Sequence, residues 1–353
     1  LESIAKKPFI FANGVSLKNR IILAPMDLRM SLFDGTISQN DIAFHKSRSK
    51  GVGMDVVGSA FVSKNGNTVT GSVGVDNDGK IEGLNDLANT IHANDTKAIL
   101  QLVHAGRMTN RINTFGEQVM APSSIKGNYG TLDVPREMTR MNILKVVNDF
   151  STATKRAMAA KFDGIEIHGA NGFLPQQFVS PLSNKRCDQF GGSIENRLRF
   201  IEILIRSLSS TISQFDQGKF LLGYRLSPEE FETGGMTIRD TILLVKLLNT
   251  LNIDYISLSL HDFKSVPKTY QSNFSILEIF KAITKIPIIA SGKIRNVVDT
   301  NLALQNSDLI AVGTPLIASP NWAPELTGVA NTSKKMQSAF EIGISEDIYK
   351  FLR

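Results

Sequence analysis

Two polar side chains stand just past an apolar run. Gly164 to Ile167 reads as a short buried strand, and it delivers His168 and Asn171 into a turn punctuated by Gly169 and Gly172. An imidazole and a carboxamide at the exit of a buried strand suit a site that grips a polarised oxygen. The polar segment that follows carries Asn184, Arg186, Asp188, Gly191, Gly192 and Glu195. It is too elaborate for a simple connection.

Other candidates lie at the ends of similar runs. Strands are predicted at 20–24, 54–60, 98–103, 164–167, 220–226, 255–260, 287–290 and 309–312. Most are apolar throughout, as strands buried on both faces must be. Between them lie helical patterns. Ile143, Val147, Phe150, Thr154 and Ala157 share one stripe with Thr139 as N-cap, and 238–251 repeats the pattern. Eightfold strand–helix alternation predicts a parallel (β/α)8 TIM barrel. The alternative, an open doubly wound sheet, is disfavoured by the strand count and by the lack of GxGxxG after the first strand.

Active residues of such barrels sit at the C-terminal strand ends. Reading those ends collects Pro25, Met26 and Asp27, then Ala60, Gln101, His168 with Asn171, Arg225, Gly292 with Lys293, and Gly313 with Thr314. The set holds a charged fork, a carboxamide, two oxygen-gripping groups and two Gly-marked turns. Glycines after the last two strands let backbone N–H groups approach a phosphate. Taken singly, each of these residues also has an ordinary structural explanation.

Composition bounds the rest. The chain has 353 residues, a net charge of +6 and one cysteine, which excludes internal disulfides and a four-cysteine iron–sulfur site. Its basic residues are scattered, so nucleic-acid binding is not expected. No run of about 18 apolar residues predicts a membrane span, and the N-terminus lacks an apolar signal core. A cytoplasmic protein is expected. No metal site is expected, because paired histidines at ligand spacing are absent. No linker divides the chain, so 1–353 reads as one domain. The barrel covers about 9–330, with an extended loop insertion (108–140) over its mouth and a helical tail (331–353) packing on the barrel or on a second copy in a homo-oligomer. Cys187 reads as a packed, inert thiol, and His104 as a structural contact near Gly106 and Arg107. His45 and His92 read as ordinary helical histidines. His261, Phe263, Phe115 and Tyr129 are candidates to line a substrate pocket.

The block HGANGF…SPLSNKR…FGGSIENRLRF closely resembles the signature of the old yellow enzyme family of FMN-dependent oxidoreductases. The resemblance spans about Phe9 to Pro320. It implies non-covalent FMN, NADH or NADPH as hydride donor, and a small electron-poor acceptor such as an activated alkene, quinone or nitro compound. It further implies that Pro25, Met26 and Ala60 form the flavin's backbone seat and that Gln101 and Arg225 hydrogen-bond the ring. His168 and Asn171 would hold the substrate's oxygen, and Gly292 and Gly313 would turn around the phosphate.

Several positions depart from the family pattern, among them Cys187, where Thr is usual. Phe173 stands where the usual tyrosine donates a proton to the substrate carbon, so reduction of ordinary enones should be slow. Asp27 stands where Cys or Thr lies beside the flavin carbonyl. It would disfavour an anionic reduced flavin unless protonated or paired with Arg29, or it faces away and caps a turn. Thr314 replaces a phosphate-binding Arg. Lys293 replaces a glycine and either restores that charge or points to solvent. The larger branch of the family carries a Cys cluster and a second dinucleotide domain, and is set aside. The rival reading is a degenerate barrel that binds flavin or another ligand without turnover.

Overall fold

The computed structural model describes residues 3–128, 131–216, 218–325, 344 and 349. Its strands are β1 (Ile21–Leu23), β2 (Met54–Phe61), β3 (Lys97–Val103), β4 (Gly164–Gly169), β5 (Leu221–Leu226), β6 (Tyr255–Leu258), β7 (Ile288–Ala290) and β8 (Leu309–Val312). They pair in parallel around a ring, and β8–β1 and β1–β2 pairing closes it. Each strand coincides with one of the predicted runs, so the barrel expectation holds. A helix follows each strand in turn: α1 (Gln39–Arg48), α2 (Ile81–His92), α3 (Arg140–Ala159), α4 (Ile194–Phe215), α5 (Ile238–Leu248), α6 (Ile276–Ile283), α7 (Val297–Ala303) and α8 (Thr314–Ala318). Thr139 caps α3 in a reciprocal capping box with Asn142. The helix predicted at 238–251 stops at Leu248, three residues early. Among the described residues no helix is long and apolar enough to cross a membrane.

Side chains alternate across a strand with period two, so each strand feeds two cores. Outward residues such as Val57, Leu100, Ile167 and Leu222 pack with the helices. Inward residues near the strand starts, including Met54, Ile99, Leu221, Tyr255, Ile289 and Leu309, form a separate barrel interior. Phe11, Val15 and Leu17 join that interior from a hairpin of Phe9–Ile10 paired antiparallel with Ser16–Leu17. The hairpin therefore closes the N-terminal end of the barrel. Sequence reading missed it, although Asn13-Gly14 between apolar residues is a strong hairpin signal.

Three aspartates immediately before even-numbered strands hold the odd-numbered strand before them. Asp163 Oδ2 accepts from the Ala98 N–H at 2.8 Å, Asp254 Oδ2 from Leu222 at 2.7 Å, and Asp308 Oδ2 from Ile288 at 2.9 Å. These clamps fix register at the closed end, far from the mouth.

At the other end, the segment after β3 carries a two-residue parallel pairing, Met120–Ala121 with Arg136–Glu137. It is tied to the segments after β2 and β4. Asn67 Nδ2 donates to Asn113 O at 2.9 Å, and Arg186 Nη1 donates to Pro122 O at 2.9 Å and Met138 O at 2.6 Å. Arg186 also forms a bidentate pair with Asp188, and a Cβ at Gly191 would lie 2.3 Å from Arg186 O. Asn184 Nδ2 bridges the carbonyls of Phe178 and Phe190, each at 2.7 Å. The most distinctive stretch of sequence therefore locks loops together. The expected helical tail lies outside the described residues, apart from Ile344 and Tyr349.

Candidate active site at the barrel mouth

Two residues further along each strand, the inward face changes character. β3 passes from Ile99 to Gln101, β4 from Gly164 to Glu166 and His168, and β5 from Leu221 to Gly223 and Arg225. β6 passes from Tyr255 to Ser257. Strand register sets Gln101 beside Glu166, and Arg225 between His168 and Ser257. Alternation alone thus stacks a polar layer on the apolar one, at the end where barrel enzymes work.

Hydrogen bonds fix the polarity of this layer. Arg225 can only donate. Its Nη1 donates to Ser257 Oγ at 3.0 Å and its Nη2 to Ser259 Oγ at 3.2 Å. Ser259 then donates to Asn171 Oδ1 at 3.0 Å. That bond leaves the Asn171 amide N–H groups as the side chain's donors. The Asn171 backbone is left-handed (φ 56°) and its N–H donates to Ser227 Oγ at 2.9 Å, which holds the residue at the rim. Ser259 was not foreseen as a site residue, since a lone serine after a strand carries no signal. Its removal has a definite expected result. Ser259→Ala should lower kcat/KM for carbonyl-bearing acceptors by up to about tenfold, the worth of a net hydrogen bond. Flavin reduction by NAD(P)H should change less. Equal losses in both half-reactions, measured separately by stopped flow, would contradict the orienting role.

His168 is 5% exposed, and its Nδ1 is buried without a partner. Burial, and then the charge of Arg225, hold it well below the ordinary imidazole range. It is therefore neutral at pH 7 and offers a hydrogen bond rather than a charge. Phe173 stands edge-on to the imidazole, with ring centroids 4.7 Å apart and planes at 68°. His104 is fully buried, and its Nδ1 accepts from the Gly106 N–H at 3.0 Å. Burial pushes its pKa down to about 3. This is the structural contact expected from sequence.

Gly58 lets Gln101 and Pro25 approach its backbone closely. A Cβ there would lie 2.9 Å from Gln101 Oε1 and 3.1 Å from Pro25 Cβ. Met26 bridges to Gly58 and also lies against Gly313, where a Cβ would stand 3.1 Å from its Sδ. The structure thus gathers Pro25, Met26, Gln101 and Gly313 around the ends of β1, β2, β3 and β8. Ala60 is fully buried and packs with the outer core.

Asp27 is not paired with the exposed Arg29 by contact. Its Oδ2 accepts from Thr68 Oγ1 at 2.8 Å and from Ser72 Oγ at 2.6 Å, while Arg29 acts on it only through charge and a backbone N–H. Burial outweighs these and raises its pKa. The folded state therefore keeps a proton on Asp27 to higher pH than the unfolded chain does. Stability falls as pH rises from the unfolded carboxylate value, about 3.9, through the raised folded value. Asp27→Asn lacks that penalty. It should melt at a higher temperature than the parent at pH 8, with the gap closing by about pH 3.5. A gap that stays constant across this range would show that folding leaves the Asp27 pKa unshifted.

The seventh-strand turn differs from expectation in emphasis. Gly292 has φ 102°, and a Cβ there would lie 2.5 Å from Leu260 O and 2.9 Å from the Asp262 N. Its glycine is required by the close approach of the loop after β6, whatever binds nearby. Lys293 is half-exposed and points its Nζ to Asp262 Oδ2 at 3.5 Å, so part of its charge is already answered. Thr314 is exposed at the start of α8.

Of the pocket candidates, Phe263 is buried beneath the Gly292 carbonyl and His261 is exposed. Phe115 packs on Phe33 and Phe61, with centroids at 5.5 and 6.1 Å. Tyr129 lies outside the described residues. Cys187, read as packed, is exposed, because the turn after Arg186 projects it outward. His45 and His92, read as ordinary, each bind a carboxylate: His45 Nδ1 lies 2.9 Å from Asp55, and His92 Nε2 lies 2.6 Å from Asp163. Among the described residues no group of three or more His, Cys, Asp or Glu could hold a metal ion.

These features suit a flavin: an acceptor at Gln101 Oε1, a fixed cation at Arg225 and an unsatisfied buried His168 Nδ1. Comparison with known proteins agrees. Residues 7–331 match the NADH:flavin oxidoreductase / NADH oxidase family. The probable NADH-dependent flavin oxidoreductase YqiG of Bacillus subtilis is 37% identical over 90% of this chain and 86% of its own. The NADH:acrylate oxidoreductase of Vibrio harveyi is 38% identical over 89% of this chain, which spans about a third (32%) of that protein's length. The old yellow enzyme homologue of Zymomonas mobilis shares the fold, with a TM-score of 0.83 over 99% of this chain and 98% of its own at 23% identity. The chain therefore belongs to the NADH:flavin oxidoreductase / NADH oxidase family, the FMN-dependent old yellow enzyme family that its sequence resembles.

Proposed function

We propose that the protein takes hydride from NADH or NADPH onto FMN and passes it to an electron-poor small molecule: an activated alkene, a quinone or a nitro compound. The observation that supports this best is the directed chain from Arg225 through Ser259 to Asn171, set beside a neutral His168. FMN, when bound, supplies hydride acceptance and release at N5.

The chain's own residues perform the remaining tasks. Gln101 and Arg225 bind the flavin's polar edge. Pro25 and Met26 would seat it, Ala60 only through its backbone, and Gly292, Lys293, Gly313 and Thr314 would hold its phosphate. His168 and Asn171 donate to the acceptor's oxygen, where charge grows as hydride arrives, and stabilise it. Phe173 covers the acceptor without offering a proton.

The test is an anaerobic spectrum of the FMN-reconstituted protein before and after NADH, and then NADPH. Bleaching of the flavin band supports the proposal. A flavin that stays oxidised with both donors, or a protein that does not retain FMN, defeats it.

A further inference from the structure

Glu166 is a carboxylic acid inside the barrel, 1% exposed, in a strand otherwise lined by apolar groups and the site itself. Its Oε1 accepts from Gln101 Nε2 at 2.7 Å. Arg225 and Tyr255 act on it electrostatically, while Glu166 Oε2 and the Tyr255 hydroxyl have no hydrogen-bond partner among the described residues. The family signature gives this residue no task, and neither does the reaction outlined above.

The geometry restricts Gln101. A glutamine amide presents an acceptor at one end and donors at the other, and the two ends are nearly isosteric. A carboxylate answers only the donor end. With Nε2 drawn to Glu166 on β4, Oε1 must turn the opposite way, toward β2. It lies there 2.9 Å from the position a Gly58 Cβ would take, beside Pro25. The far side of Gln101 is thus an acceptor in every conformer that keeps the Glu166 bond. Arg225, on the other side of Glu166, is donor-only.

We infer that Glu166 is a positioning residue that sets the hydrogen-bond polarity of the flavin seat. By holding Gln101 Nε2 it makes Gln101 Oε1 an obligatory acceptor, so that the seat selects a ring edge carrying an N–H next to a carbonyl. On a flavin that N–H is N3–H. Without the carboxylate, Gln101 can present its donors instead, and these oppose N3–H. Burial raises the Glu166 pKa against the pull of Arg225 and the Gln101 N–H, and in either protonation state Glu166 offers Gln101 Nε2 an acceptor oxygen. Glu166 in turn counters the loss of charge that burial would impose on Arg225.

This inference rests on the flavin reading, and the test separates the two. Apoprotein is loaded with 15N-labelled FMN, and the exchange of the N3–H proton with solvent is followed by NMR. No turnover is required. In the parent protein the N3–H resonance should be present and protected. Glu166→Gln should speed its exchange by about tenfold or more, because tenfold corresponds to about 1.4 kcal/mol, the scale of one net hydrogen bond. Glu166→Asp should keep part of the protection. Bound FMN whose N3–H exchanges freely in the parent overturns the inference and leaves the flavin reading standing. So does undiminished protection in a Glu166→Gln protein that binds FMN. If Glu166→Gln does not fold, Glu166→Asp decides: protection equal to the parent's overturns the inference, and faster exchange supports it. Failure of the parent to bind FMN at all sinks both readings.

Discussion

Phe173→Tyr should raise the rate of activated-alkene reduction by about 10²–10⁴-fold, the usual worth of a positioned general acid. Phe173 already stands edge-on to His168 at 4.7 Å, so a phenol at that position adds a hydroxyl to a ring that is held in place. The gain belongs in the oxidative half-reaction with an enone, read by stopped flow from the return of the flavin band. Reduction of a quinone, which can take its protons from water, should change far less. Equal acceleration of both acceptors would point to altered packing rather than a proton. No acceleration of the enone would mean that Phe173 does not limit the chemistry.

Removing His168 should cost about 10²–10³-fold in kcat for any acceptor held by a carbonyl or nitro oxygen, as losing one preorganised donor does. The buried Nδ1 has no protein partner, so His168→Ala leaves few internal bonds broken, and FMN content should be retained. Because burial and Arg225 keep His168 neutral, its ionisation should not appear in the parent's rate profile from about pH 6 to 9. An acid limb near the ordinary imidazole value that vanishes in His168→Ala would show that the ring titrates within the site.

Much of this was legible in the sequence, for identifiable reasons. Strands buried on both faces must be apolar throughout, so their number and order could be read directly. Gln101, His168 and Arg225 stood out because each is a polar interruption of such a run near its C-terminal end. Glu166 is the same kind of interruption and was passed over, since its meaning depends on register against Gln101, which one strand cannot reveal. Ser259 and the aspartate clamps act through partners far away in sequence. Asp27 stood out as a carboxylate just past the first strand, but its partners Thr68 and Ser72 come from a different loop than Arg29, the neighbour that proximity suggested. The SPLSNKR block drew attention as a site feature, yet Asn184, Arg186 and Gly191 chiefly bind backbone carbonyls and accommodate one another. Distinctive sequence marks whatever is hardest to replace, and a loop anchor qualifies as readily as a reacting group.

The aspartate clamps carry one more implication. Asp163 ties β4 to β3, Asp254 ties β6 to β5, and Asp308 ties β8 to β7. Three of the ring's four tandem strand pairs thus carry such a latch at the closed end. A circular permutant opened between α4 and β5 keeps every latch within one contiguous pair. One opened between α3 and β4 sends Asp163 to the opposite terminus from Ala98. The first permutant should recover its barrel on dilution from denaturant at close to the parental rate. The second must search the whole chain before its third and fourth strands can lock.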